Sequence, residues 1–369
     1  MWDSRIIESY LRLASRYNNL SLIPEGSKNI NVSNLTKLSG HINNDLYSFL
    51  LTFTKDGDAQ SFDLILKTYC ENVSCWYSRN RPGEDVRTYV REFQVLKSLD
   101  KVGFPVPHVY ACESDSFFLG YPFVIMSKEK PINQSVDSLD CSAVTLARLH
   151  NLNASSLEIK SLVFPEDDSI FANEWLTRLT LFLKQTKHYR SLRKNFEYTI
   201  RWLQLNVSGS YCPQYCLIHG EYHPGHTLIT QDNVLKVIDW EGVDIGDPAF
   251  DVGYAYHVIK LMYDEKNPGS GDKAAEQFIS EYTKNFRGDI WPRLEFYKVI
   301  GILGITLEVS SWIRNPLEAY KRFGHKALAR AIAFPFLPLH IVNRNWMNAD
   351  FLVSYLEYFQ EFVETNLRR

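Results

Sequence analysis

Residues 217–256, LIHGEYHPGHTLITQDNVLKVIDWEGVDIGDPAFDVGYAY, crowd histidines and carboxylates into polar loops between two short apolar, β-like runs. Its polar stretches fall where loops are expected, between the apolar runs. The apolar run 234–238 ends at Asp239, and a strand end of this kind directs its carboxylate at the preceding loop, which carries Glu221 and, five residues on, His226. Whatever surrounds this segment has to hold it between two bodies.

The flanking pattern supplies them. Apolar residues at helical spacing (Ile6, Ile7, Tyr10, Leu11, Leu13) predict an opening amphipathic helix. Three β-like runs follow, 30–38, 46–53 and 62–69, as an antiparallel meander. A helical pattern through Val86, Tyr89, Val90, Phe93, Leu96 and Leu99 stops at Gly103, and two more strands are expected at 108–112 and 117–126. Downstream the periodicity is helical: 139–152, 170–186, 192–207, 250–263, 274–286, 291–313 and 351–365. The expected architecture is α+β and two-lobed, with residues 1–126 forming a small lobe of five antiparallel strands and residues 127–369 a larger helical lobe.

Lys and Arg number 40 against 43 Asp and Glu, so no positive field marks the chain as a nucleic-acid binder. The six cysteines form no staple framework and read as reduced thiols; Cys212 and Cys216 have the wrong spacing for a zinc pair. The first residues lack a secretory pattern, and the longest apolar run, 331–342, is short for a bilayer and contains Pro335 and Pro338. A cytoplasmic protein with no membrane partner is expected.

Phosphoryl transfer needs a group that orients or deprotonates the attacking hydroxyl, ligands for a divalent cation, a cation on the phosphates and a cleft that excludes water. Glu221, Asp239 and a strand lysine, Lys67, offer the first three. Any one of them alone has an ordinary reading: strand lysines are mostly solvated, and Glu92 would be a surface residue of a charged helix. Only the ordered set carries the argument.

That set resembles the aminoglycoside phosphotransferase and choline kinase-like family, whose loop reads H-G-D-x-x-x-x-N and whose metal-binding strand ends in I-D-W-E. Here the loop is His219-Gly220-Glu221 through His226, the strand end is Ile238-Asp239-Trp240-Glu241, and Gly246-Asp247-Pro248 and Asp251 follow. The resemblance implies a protein-kinase-like fold and transfer of the ATP γ-phosphate, with Mg2+, to a hydroxyl of a small molecule such as an aminoglycoside, amino alcohol or sugar. It implies a phosphate-covering turn at Ser39, Gly40 and Asn44, a phosphate-anchoring Lys67 partnered by Glu92, and a hinge at Met126, Ser127 and Glu129 whose backbone meets adenine. Glu221 becomes the catalytic carboxylate and Asp239 the metal ligand, with His219 and Asp251 supporting the loop; Asp247 reads as a helix cap.

The chain departs from the family at three positions. Glu221 stands for aspartate, His226 for asparagine and His41 for a glycine of the phosphate turn. Mg2+ prefers oxygen to imidazole, so Asp239 holds it with water and phosphate, or Glu241 contributes, or His226 turns to a phosphate. The rival reading is a degenerate kinase-like nucleotide-binding or scaffold protein without transferase activity. For the acceptor, Glu241 and Asp244 near the loop, and Glu308 and Trp312 one helical turn apart, offer acidic and aromatic groups suited to an amine; the latter pair is equally an ordinary helix-surface pair.

Overall fold

The computed structural model describes residues 4–16, 22–38, 44–69, 88–132, 138–185, 192–314 and 349–368. Ser39, Gly40 and His41 of the expected phosphate turn lie outside them, as does the apolar run 331–342.

Strands β1 (Lys28–Lys37), β2 (Leu46–Lys55), β3 (Asp58–Thr68), β4 (Val109–Glu113) and β5 (Phe123–Ser127) form one antiparallel sheet in the order β1-β2-β3-β5-β4. The fifth strand starts six residues later than its apolar pattern suggested, because residues 116–119 form a turn. There Phe117 points to solvent and Gly120, at φ 75°, takes a left-handed conformation that turns the chain.

Period-two alternation sorts the sheet's side chains. Leu64 and Leu66 of β3 join Phe49, Leu51, Phe123 and Ile125 against helix α1 (Ser4–Arg16), whose Ile7 and Leu11 are fully buried. Burying each of these two is worth about 1.5–3 kcal/mol. The interleaved Lys67 therefore faces the other way, toward helix α2 (Thr88–Lys101) and the helical lobe. On α2, Glu92 shares the stripe of Val95, Leu96 and Leu99 and is 1 % exposed.

The helical lobe comprises α3 (Ser138–His150), α4 (Ile170–Gln185), α5 (Arg193–Asn206), α6 (Pro248–Lys266), α7 (Gly271–Asn285), α8 (Trp291–Arg314) and α9 (Ala349–Phe362). Helix α6 is buried on nearly all sides and runs against α7 and α8. A side chain at Gly253 would meet the Tyr297 backbone at 2.6 Å, so the α6–α8 approach requires glycine. Four short strands lie on this lobe's cleft side: β6 (Cys216–Ile218) pairs with β9 (Asp244–Gly246), and β7 (Thr227–Ile229) with β8 (Leu235–Val237). Among the described residues, no helix is long and apolar enough to cross a membrane.

Candidate active site

The loop after β6 is shaped by Asp251, one turn into α6. Its Oδ2 accepts the His219 amide and its Oδ1 the Gly220 amide, both at 2.7 Å, and His150 Nε2 donates to Oδ2 at 3.1 Å. Tyr282 supplies a hydroxyl to the other nitrogen of His150 at 2.8 Å, so α3, α6 and α7 jointly fix the loop. Asp247 caps α6 through the Ala249 amide and pairs with buried Arg293.

Gly220 has φ +90°, and a Cβ on it would lie 2.1 Å from the Gly242 carbonyl oxygen. The loop and the turn after β8 are thus in direct main-chain contact. His219 adds a second tie: its Nδ1 accepts the Glu221 amide, which leaves Nε2–H to donate to the Ile238 carbonyl at 2.9 Å. Burial pushes the His219 imidazole down to about 4, with Asp251 opposing, so the ring is neutral at ordinary pH.

Asp239 occupies a left-handed conformation, φ 64° and ψ 64°, uncommon for a residue with a side chain and typical of functional sites. That kink carries the chain into the turn Trp240–Gly242 and returns Glu241 to the sheet lobe. Lys67 Nζ meets Glu92 at 3.0 and 3.1 Å, Asp239 Oδ1 at 2.9 Å and Glu241 Oε1 at 2.7 Å. Tyr69 donates its hydroxyl to Glu92 at 2.6 Å, and Asn44 donates to Glu241 at 2.6 Å.

One ammonium thus faces three carboxylates. Burial would lower the Lys67 pKa, but Asp239, Glu241 and Glu92 outweigh it and raise it well above the ordinary lysine value. Burial would likewise raise Asp239, yet Lys67 and His226 hold it well below the usual carboxylate range. For Glu241 burial prevails, helped by Asp239 and Glu92 against Lys67, and pushes the carboxyl up to about 7.

Glu221 is 8 % exposed and its Oε1 accepts the Tyr254 hydroxyl of α6 at 3.3 Å. His226 Nδ1 donates to the Glu221 carbonyl at 2.9 Å, and its Nε2 stands 3.6 Å from Asp239 Oδ2. The structure therefore joins Lys67, Glu92 and Asn44 of the sheet lobe to Asp239 and Glu241 of the helical lobe, with His226 beside Asp239 and Glu221 tied to His226 through its carbonyl.

Other expected residues are placed differently. Glu241, considered for the acceptor side, lies on Lys67. Asp244 is buried on β9, its Oδ1 accepting the Ile245 amide. The Ser127 amide donates to the His108 carbonyl and its hydroxyl to Glu129. Met126 is buried on β5. Glu308 and Trp312 lie on α8, but their side chains fall outside the described ones. Tyr254, His150 and Tyr69 carry no site role in the sequence reading: Tyr254 is one aromatic among several on a largely buried helix, whereas a histidine ending α3 is a signal in plain view.

The profile of the phosphotransferase enzyme family matches residues 42–297, well over half of the chain. The chain belongs to that family. Among solved structures, a putative aminoglycoside phosphotransferase from Ralstonia eutropha aligns over 98% of this chain and 99% of its own, with TM-score 0.55 and 15% identity. Aminoglycoside phosphotransferase APH(4)-Ia aligns over 90% and 98%, with TM-score 0.56 and 13% identity. These likenesses establish the two-lobed kinase-like α+β fold. By sequence, mouse acyl-CoA dehydrogenase family member 10 is 25% identical over 58% of this chain and 22% of its own length. Human acyl-CoA dehydrogenase family member 11 is 27% identical over 58% and 30%. The chain spans under a third of the length of these relatives.

Proposed function

We propose that this protein transfers the γ-phosphoryl group of ATP to a hydroxyl of a small molecule, with Glu221, Asp239 and Lys67 as the catalytic set. The observation that carries the reading is the fourfold grip on Lys67 Nζ, in which Glu92 fixes the ammonium while Asp239 and Glu241 share it. Unit charges at these distances interact strongly when water is excluded, and three carboxylates against one ammonium leave a surplus of negative charge. That surplus fits a divalent cation such as Mg2+, which brings phosphate oxygens into the same space.

In this reading Lys67 exchanges Glu241 for phosphate oxygens, Asn44 stays at the edge of the phosphate turn begun by Ser39 and Gly40, and Asp239 holds the cation with His226 or Glu241. The bound cation neutralises charge on the phosphates. Glu221, steadied by Tyr254, takes or orients the acceptor proton. The hydroxyl oxygen forms its bond to the γ-phosphorus as the bond to the β-phosphate oxygen breaks, and ADP leaves with that electron pair. Met126, Ser127 and Glu129 form the hinge at the adenine edge, using the Ser127 carbonyl in place of its occupied amide, and the lobes divide at 126/127. His219 and Asp251 hold the loop.

APH(4)-Ia has been crystallised with ADP and hygromycin B, which supports a nucleotide and a hydroxyl-rich acceptor for this chain too. Aminoglycosides, amino alcohols and sugars remain the acceptor classes, with Glu308 and Trp312 as candidates for contact with an amine. Glu221 and His226, at positions where the family has aspartate and asparagine, favour one rival: a nucleotide-binding protein that transfers nothing. A Mg-ATP turnover screen against pooled hydroxyl metabolites, followed by phosphorus NMR, separates the two. New phosphate-ester signals are expected; nucleotide binding with no ester from any pool would decide for the rival.

A further inference from the structure

Position 226 carries an imidazole where the family pattern has an asparagine. The Glu221 carbonyl can only accept, so His226 Nδ1 carries the hydrogen of their 2.9 Å bond. That bond is made by the imidazolium and by the neutral ring alike; in the neutral ring Nε2 presents a lone pair, and Nε2 is the atom turned to Asp239 Oδ2. A backbone carbonyl on the second ring nitrogen is the arrangement by which metal-binding histidines are oriented. At 3.6 Å the Nε2–Oδ2 gap is too long for a hydrogen bond. It lies within a fraction of an ångström of the separation set by one ion roughly 2.1 Å from each atom.

The surroundings reinforce the pair. The His223 ring lies 4.0 Å from the His226 ring and restrains its plane. Glu241 is engaged by Lys67 and Asn44, which leaves His226 as the donor nearest the open side of Asp239. The Asp239 side chain is 35% exposed and that of His226 21%, so an ion reaches both. Among the described residues no cluster of three or more His, Cys, Asp or Glu side chains is disposed to hold a metal ion. The protein therefore supplies two ligands, and phosphate and water supply the rest.

Resting on the reading of Asp239 as the cation holder, we infer that His226 Nε2 is a metal ligand and that the site selects a first-row transition cation over Mg2+. Mg2+ sheds water reluctantly and favours oxygen, whereas affinity for a nitrogen-containing site rises from Mn2+ to Co2+.

The test uses the whole chain with the β,γ-methylene analogue of ATP and Mn2+, Co2+ or Mg2+. Electron spin-echo measurements on the Mn2+ complex should show imidazole nitrogen modulation that changes isotope signature when histidine is labelled with 15N. Metal competition should rank Co2+ above Mn2+ above Mg2+. His226→Asn should abolish the modulation and lower the Co2+/Mg2+ selectivity on the order of tenfold. If this variant does not fold, the labelled parent protein decides alone. Analogue binding that persists without histidine modulation would overturn the ligand assignment only. Absence of analogue binding with every cation would overturn both this assignment and the kinase reading.

Discussion

Lys67 and Asp239, 172 residues apart in the chain, meet at 2.9 Å, and their contact joins the sheet lobe to the helical lobe. Glu92 anchors the lysine from behind. Replacing Lys67 by Met leaves buried Glu92 without its cation, a loss that for buried pairs costs about 3–5 kcal/mol. We expect a matching fall in the urea midpoint and loss of any ATP-dependent thermal shift. A variant as stable as the parent that still binds ATP would refute the anchoring role.

On the proposed reading Glu221 and Asp239 divide the work of the site, and their variants should diverge. Glu221→Gln is expected to keep nucleotide affinity while phosphoryl transfer falls about 10²–10⁴-fold, the usual contribution of a positioned proton acceptor. Asp239→Asn should weaken metal-nucleotide binding as well. Calorimetry with the nonhydrolysable analogue, run beside a turnover assay, separates the two losses.

Asp251 accepts three hydrogen bonds from the loop and from His150. An asparagine there turns an NH2 group toward N–H donors, leaving at least one buried donor unpaired at about 1–3 kcal/mol. Asp251→Asn should therefore lower the melting temperature and activity together. Amide exchange at Gly220 should accelerate, whereas protection at β2 should stay as it is.

His257 joins α6 to α8 and α9, donating from Nε2 to the Lys298 carbonyl at 2.9 Å and accepting from Tyr358 at 2.8 Å. Burial pushes it down to about 3, so it stays neutral in the fold while the unfolded chain takes up a proton near the ordinary value of 6.5. Between these values the unfolded state binds more protons, and stability falls with falling pH by up to about 1.4 kcal/mol per unit. His257→Gln should lessen that dependence between pH 6.5 and 3 in urea titrations. A slope as steep as the parent's would place the acid sensitivity elsewhere; Glu241, raised to about 7, contributes in the opposite direction from 4.5 to 7.

Periodicity made much of this fold legible. The pattern through Tyr89, Phe93, Leu96 and Leu99 predicts α2, but periodicity alone reads Glu92 as a surface residue, whereas the helix buries it on Lys67; only the resemblance paired the two. The position of Glu241 was not legible, because it depends on the left-handed kink at Asp239, and no residue spacing reveals a single backbone dihedral. The pairing of the Ser127 amide was not legible for a related reason, since its partner, the His108 carbonyl, lies just before the irregular register of β4 on β5. Tyr254 and Asp244 lie in segments so uniformly buried that the sequence offers no contrast to mark which side chain turns to the cleft.

The main-chain contact at Gly220 and Gly242 bears on how the cleft opens. Because the 219–226 loop and the turn beyond β8 are locked face to face and further tied through His219, residues 221, 226 and 239 form one block. On the proposed kinase reading, admission and release of a nucleotide would then come from the opposing jaw, by breaking the Lys67 and Asn44 bridges, so that those two contacts would set the rate of exchange while the geometry below them is left undisturbed.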